Sequence, residues 1–197
     1  MIFVHGVGSS RFSPRNLYLS KFFQSLGFST LLFDIMTPQE ERLNNITGEY
    51  KYNVNFISKR IISATQFINS NQKLKKLPII LYGSSTGSAG IIESEGKLKS
   101  LGININSIVS RSGRLSLCNR NSLGLLNTPI LLLCGGDDKE TIDINRQSLD
   151  SMHYCQSKKL EIIANSSHLF PENGALEKVA KISFNFLNYH LNNPIKY

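Results

Sequence analysis

The sequence predicts a single three-layer α/β/α domain, residues 1–197, built on a mainly parallel sheet of about six strands. Three observations predict it. Six short runs, at 2–4, 29–34, 78–82, 105–109, 129–134 and 159–163, are apolar almost throughout; strands that read this way are covered on both faces. Segments with helical spacing separate them, and strand–helix alternation is the signature of a parallel sheet between helical layers. A chain of 197 residues, 41% of them hydrophobic, is long enough for one core, burying about two thirds of its surface.

The elements follow in order. After the run at 2–4, Leu19, Phe22, Phe23 and Leu26 fall at i, i+3, i+4 and i+7, and Gly27 ends that helix. Beyond the 29–34 strand, the stretch 36–53 ("MTPQEERLNNITGEYKYN") is polar and reads as an irregular partial lid. Val54, Ile57, Ile61, Thr65 and Ile68 mark a second helix. The 78–82 strand runs into a helix over 86–99, and the last helix carries Leu176, Val179, Ala180, Ser183, Phe186 and Leu187 on one side. No internal repeat or flexible linker interrupts the series. In a parallel sheet the loops after the strands share one edge, where ligands bind.

Composition narrows the function classes. No apolar run approaches the roughly 20 residues of a membrane span, and "MIFVHG" does not open like a signal peptide. Cys118, Cys134 and Cys155 are odd in number and form no C-x-x-C pair, which excludes a zinc knuckle or disulfide framework and fits a cytoplasmic location. The formal charge is +8, but the lysines are scattered and no aromatic-interleaved basic stripe appears. Neither nucleic acid nor membrane is expected as a partner.

Chemistry concentrates in "IILYGSSTGSAG", residues 79–90. Ser85 lies in G-x-S-x-G between a strand and a helix, where a nucleophilic serine on a tight turn needs small neighbours. The helix beginning there turns free N–H groups toward a developing oxyanion. A phosphate-binding loop is excluded, because no Lys-Ser/Thr follows the second glycine. "GVGSSR" at 6–11 fails as a dinucleotide fingerprint, since Arg11 stands where a small residue is required.

A serine nucleophile needs a base and an acid. His168 follows the last strand and so reaches the same edge. His153 and His190 fall in helical segments and read as surface residues, and His5 belongs to the first loop. Asp137 and Asp138 both follow the 129–134 strand. Spacing favours Asp138, with Asp137 as a cap and as the alternative acid. The order serine, aspartate, histidine suits a parallel α/β sheet. The backbone N–H groups of Thr86 and Val7 are the expected oxyanion donors, with Gly8 as a further candidate. Arg11 and Arg15 beside the first loop, and Arg111 and Arg114 after the 105–109 strand, predict an ester or lactone substrate bearing an anionic group. The competing expectation is that these arginines pin loops to Asp34, Glu40 or Glu41.

Four blocks, "FVHGVGSSRFSPRN", "LYGSSTGSAG", "LLLCGGDDKETIDINRQSL" and "LEIIANSSHLFPENGALEKVA", together resemble the dienelactone-hydrolase-like branch of the α/β-hydrolase superfamily. That branch includes proteins fused to a phosphoribosyltransferase domain, and no such domain is expected in these 197 residues. The resemblance implies a serine hydrolase with Ser85 as nucleophile, Asp138 as acid and His168 as base, and with no metal or organic cofactor. Dienelactone hydrolases themselves carry a cysteine at the Ser85 position. Relatives also place two strands before the loop at His5-Gly6, so this chain should show the α/β-hydrolase fold without them. The 29–34 strand would then be a bare edge, which leads to the expectation that the chain is either shortened at its N-terminus or self-associates there as a homodimer. A binding protein that has lost turnover, and an acyltransferase with a non-water acceptor, are the alternative functions.

Overall fold

The computed structural model describes residues 1–193. Six parallel strands, β1 (Ile2–Val4), β2 (Leu31–Leu32), β3 (Ile79–Ser84), β4 (Ile105–Arg111), β5 (Ile130–Gly135) and β6 (Lys158–Ile163), form one sheet in the order β2-β1-β3-β4-β5-β6. Seven α-helices accompany it: α1 (Pro14–Ser25), α2 (Pro38–Thr47), α3 (Val54–Ser70), α4 (Thr86–Ser100), α5 (Arg120–Leu125), α6 (Lys139–Ser151) and α7 (Ala175–Asn192). Val4 pairs with Gly83, Ser84 with Arg111, and Gly135 with Ile163. The strand ends therefore lie along one rim.

Because side chains alternate along a strand, each strand feeds both faces. Ile79 and Leu81 join Ile2 and Val4 in a core closed by Ile57 and Ile61 of α3 and by Ile91 and Ile92 of α4. Ile80 and Tyr82 point the other way, with Phe3, Val109 and Leu131, against Leu19 and Phe23 of α1 and Val179 and Leu187 of α7. Burying each such side chain contributes about 1.5–3 kcal/mol. Tyr82 is fully buried, and its hydroxyl shares a hydrogen bond with Ser183 Oγ at 3.2 Å, which binds α7 to the sheet. On the opposite face α4 lies close against α3. A Cβ on Gly90 would stand 2.3 Å from Ile57 Cγ2.

Four local expectations need correction. The 29–34 strand contracts to Leu31–Leu32, which pair only with β1 at the outer edge of the sheet. By Ile35 the chain has turned inward, and the Ile35 N–H donates to His5 Nε2 at 3.1 Å. The stretch 36–53 is not irregular throughout, because α2 lies in it. Thr37 and Glu40 close a capping box, Pro38 occupies the first turn, and Gly48 ends the helix at φ 70°. No residue of α2 is buried, so no apolar stripe announces it. His190 is buried in α7, with Nε2 3.0 Å from Ser157 Oγ, and His153 lies just beyond α6. No helix among the described residues is long and apolar enough to cross a membrane.

Candidate active site

Ser85 forms the corner between β3 and α4 and has φ 51° and ψ −121°. A non-glycine residue at positive φ costs on the order of 1–3 kcal/mol, so the surroundings must impose the turn. They do so through the backbone. The Ser85 N–H donates to the Arg111 carbonyl at 3.1 Å, and the Ser85 carbonyl accepts from the N–H groups of Ser88 and Arg114, both at 3.1 Å. The small residues of the motif are sterically required. A Cβ on Gly83 would lie 2.7 Å from Ser88 Cα, and one on Gly87 would lie 2.5 Å from the Val4 carbonyl oxygen. Gly6, in the loop after β1, faces Ser85 so closely that a Cβ there would stand 2.8 Å from Ser85 Cβ.

The loop after β6 delivers His168. Its Nδ1 lies 2.5 Å from Asp138 Oδ2. Asp138 also caps α6, its Oδ1 accepting the Thr141 N–H at 3.4 Å. The residue facing the imidazole is thus Asp138, and it takes the capping role expected of Asp137. Asp137 is held through its backbone, its N–H donating to the Ser166 carbonyl at 3.0 Å. Burial opposes ionisation of Asp138, but hydrogen bonds from Thr141 and His168, aided by attraction to the imidazole, outweigh it and hold the carboxyl below its usual range. The Ser112 hydroxyl donates to the His168 carbonyl at 2.8 Å, tying the β4 and β6 loops together. A Cβ on Gly135 would fall 2.3 Å from the Ser166 carbonyl oxygen, so glycine at the end of β5 lets this loop lie close.

Ser85 and His168 line one cavity of about 240 Å³, together with Gly6, Val7, Gly8, Ser13, Arg15 and Arg111. Among the described residues their side chains share no hydrogen bond. Thr86 is buried at the start of α4, and its Oγ1 accepts the Val7 N–H at 3.1 Å. This contact was not foreseen from the sequence, although a threonine after the serine could have signalled it.

The four arginines separate into two groups. Arg111 and Arg15 line the cavity. Arg11 does not; it is paired with Asp34, which accepts from both its guanidinium and its backbone N–H. That ion pair removes Arg11 from the expected substrate contacts. Arg114 likewise lies outside the cavity lining, its guanidinium 5.8 Å from the Tyr52 ring centroid. His5 is structural, with Nδ1 2.9 Å from the Gly6 carbonyl and Nε2 accepting from Ile35.

Elsewhere a serine does contact a histidine: Ser157 Oγ lies 3.0 Å from His190 Nε2, beside a larger hollow of about 580 Å³ along β6 and α7. This pair lacks an orienting acid, because His190 Nδ1 is buried with no partner. No group of side chains able to hold a metal ion occurs among the described residues.

No family model matches the chain. A dienelactone hydrolase from Anabaena variabilis is 33% identical, with 95% of this chain and 84% of that one covered at a TM-score of 0.88. A Pyrococcus furiosus esterase (16% identity, 95% and 81% covered, TM-score 0.75) and a monoacylglycerol lipase from Paleococcus ferrophilus (14% identity, 96% and 93% covered, TM-score 0.69) share the fold. A Mycobacterium tuberculosis protein with a provisional phosphoribosyl transferase name is 34% identical over 195 residues, covering 98% of this chain. The chain spans 42% of that relative's length.

Proposed function

The chain is an α/β hydrolase of the dienelactone hydrolase family, and on that premise we propose that it is a serine hydrolase cleaving an ester or lactone through an acyl-enzyme. One observation carries the reading: Ser85 is held at a strained corner on the same cavity as an imidazole whose Nδ1 is fixed by Asp138.

In this mechanism the Nδ1–H donates to Asp138, which leaves Nε2 of His168 as the basic nitrogen. Nε2 takes the Ser85 proton as Oγ attacks the ester carbonyl. The N–H groups of Thr86 and Val7 receive the oxyanion, and the imidazolium returns its proton to the departing alkoxide. Water then attacks the acyl-enzyme with the same base, releasing the acid and restoring the Ser85 hydroxyl. Asp138 stays ionised throughout and stabilises the imidazolium. No step calls for a metal or organic cofactor. The missing Ser85–His168 hydrogen bond is compatible with this, because such contacts often tighten only around substrate.

The test is covalent labelling with a fluorophosphonate, together with turnover of a panel of aryl esters and lactones. Labelling at Ser85 that Ser85→Ala abolishes is the expected outcome. An unlabelled, inactive chain would favour the second reading, a binding protein, to which the occupied Val7 N–H lends support.

A further inference from the structure

Arg111 ends β4 and is 3% exposed. No carboxylate pairs with it among the described residues. Its Nη2 donates to Asn16 Oδ1 at 3.2 Å, its Nε is buried without a partner, and Arg15 adds a second positive charge nearby. Burial, opposed by the Tyr82 hydroxyl and reinforced by Arg15, lowers its pKa to about 10, so it remains a cation at neutral pH. A buried charge without a counter-ion costs several kcal/mol. The arrangement lacks an anion.

The start of α1 lacks one as well. Ser13 occupies the cap position without a side-chain capping bond, and the first turn contains no acidic residue. The N–H groups of Arg15 and Asn16 have no acceptor among the described residues. Helix starts usually attract negative charge; here the first turn has no acidic residue, and the cavity it lines carries Arg15 and Arg111 and no carboxylate. Ser13, Arg15 and Arg111 line the cavity that contains Ser85 and His168. The helix start and the unpartnered guanidinium are separate observations, and both call for the same ligand charge.

We infer that this end of the cavity binds a phosphate monoester group carried by the ester or lactone that Ser85 attacks. The inference rests on the hydrolase reading above. A carboxylate has two coplanar oxygens, which one guanidinium edge can satisfy. The donors here come from two elements: the end of β4 supplies the Arg111 guanidinium, and the start of α1 supplies the Arg15 guanidinium, its free N–H groups and the Ser13 hydroxyl. That spread suits a tetrahedral group with three terminal oxygens. The phosphate is a handle. Its own ester bond stays intact while the acyl carbon–oxygen bond is cleaved, and the released acid or alcohol carries it away.

The experiment uses the intact chain with inorganic phosphate, and with acetate at equal ionic strength, followed by calorimetry and thermal unfolding. Phosphate should bind, raise the melting temperature and compete with a neutral aryl ester, while acetate does none of these. Arg111→Met and Arg15→Met should each weaken phosphate binding at least tenfold. Arg15 is partly exposed, so its variant keeps the test valid should Arg111→Met fail to fold. Absence of phosphate binding, equal binding of acetate, or undiminished binding in both variants would overturn the inference. Fluorophosphonate labelling in parallel separates the two ideas. A labelled protein that ignores phosphate loses only the phosphate site; an unlabelled one that binds phosphate keeps an anion site but loses the hydrolase reading, and with it the ester that was to carry the phosphate.

Discussion

The backbone N–H of Val7 donates to Thr86 Oγ1 at 3.1 Å, joining the loop after β1 to the first residue of α4. Both residues are proposed oxyanion donors, so the Val7 N–H must leave Thr86 Oγ1 as the oxyanion forms, and until then the bond holds the loop against α4. Thr86→Val removes the acceptor and leaves the Val7 N–H unpaired until substrate arrives. A neutral hydrogen bond contributes about 1 kcal/mol, so kcat/KM should fall roughly fivefold, with Thr86→Ser restoring it. A rise in activity in Thr86→Val would mean instead that the hydroxyl obstructs the hole.

Asp138 fixes the imidazole through Nδ1, and an amide there would favour the wrong tautomer. Asp138→Asn should lower kcat on the order of 10³–10⁴-fold while changing substrate affinity little. Asp137→Asn should leave kcat within about twofold, since a surface substitution of this kind rarely costs more than ~0.5 kcal/mol. Steady-state kinetics on one aryl ester settle both.

Gly87 packs against the carbonyl oxygens of Val4 and His5, which an added Cβ would approach to 2.5 and 2.6 Å. Backbone cannot yield as a flexible side chain can. Gly87→Ala should cost about 1–3 kcal/mol, as overpacking does, read as a lower urea midpoint with an unchanged slope. Gly96→Ala makes a control, because a Cβ there meets nothing within 4 Å; as an exposed helical position it should gain stability.

His5 is buried neutral, and burial lowers its pKa from the usual 6.5 despite opposing contributions from Gly6, Asp34 and Glu41. Between the lowered value and 6.5 the unfolded chain binds more protons than the folded one, so stability rises with pH there. The His5 contribution is therefore complete above about pH 6.5 and declines as the solution is acidified toward the folded pKa. Urea unfolding at pH 7 and at pH 5.5 should show the loss, and His5→Asn should flatten it. Asp138, whose carboxyl lies below its usual range, adds a further loss at more acidic pH, below the normal aspartate range.

The sequence made the central strands legible because β3, β4 and β5 are apolar on both faces, and length, flanking turns and β-branched content separated them from helices. G-x-S-x-G exposed the Ser85 corner because its glycines answer a steric demand local to the motif. What stayed hidden depended on partners distant in sequence. Arg11 and Arg111 look alike as residues, yet Asp34 claims the first and, among the described residues, no carboxylate pairs with the second. His190 reads as an exposed helical residue until Ser157 and the sheet edge are packed against it. Helix α2 escaped notice because its capping signals, Thr37, Pro38, Glu40 and Gly48, stand without an apolar stripe.

That absence has a consequence of its own. With no side chain in the core, α2 is fastened to the body by the Arg60–Glu40 ion pair and, just beyond its end, by the Tyr50–Phe56 ring contact, whose centroids lie 4.6 Å apart. Such a segment should detach well before the domain melts, and more readily in concentrated salt. Its amide protons should exchange with solvent early, and a protease should nick the chain between residues 36 and 53 while both apolar layers remain intact.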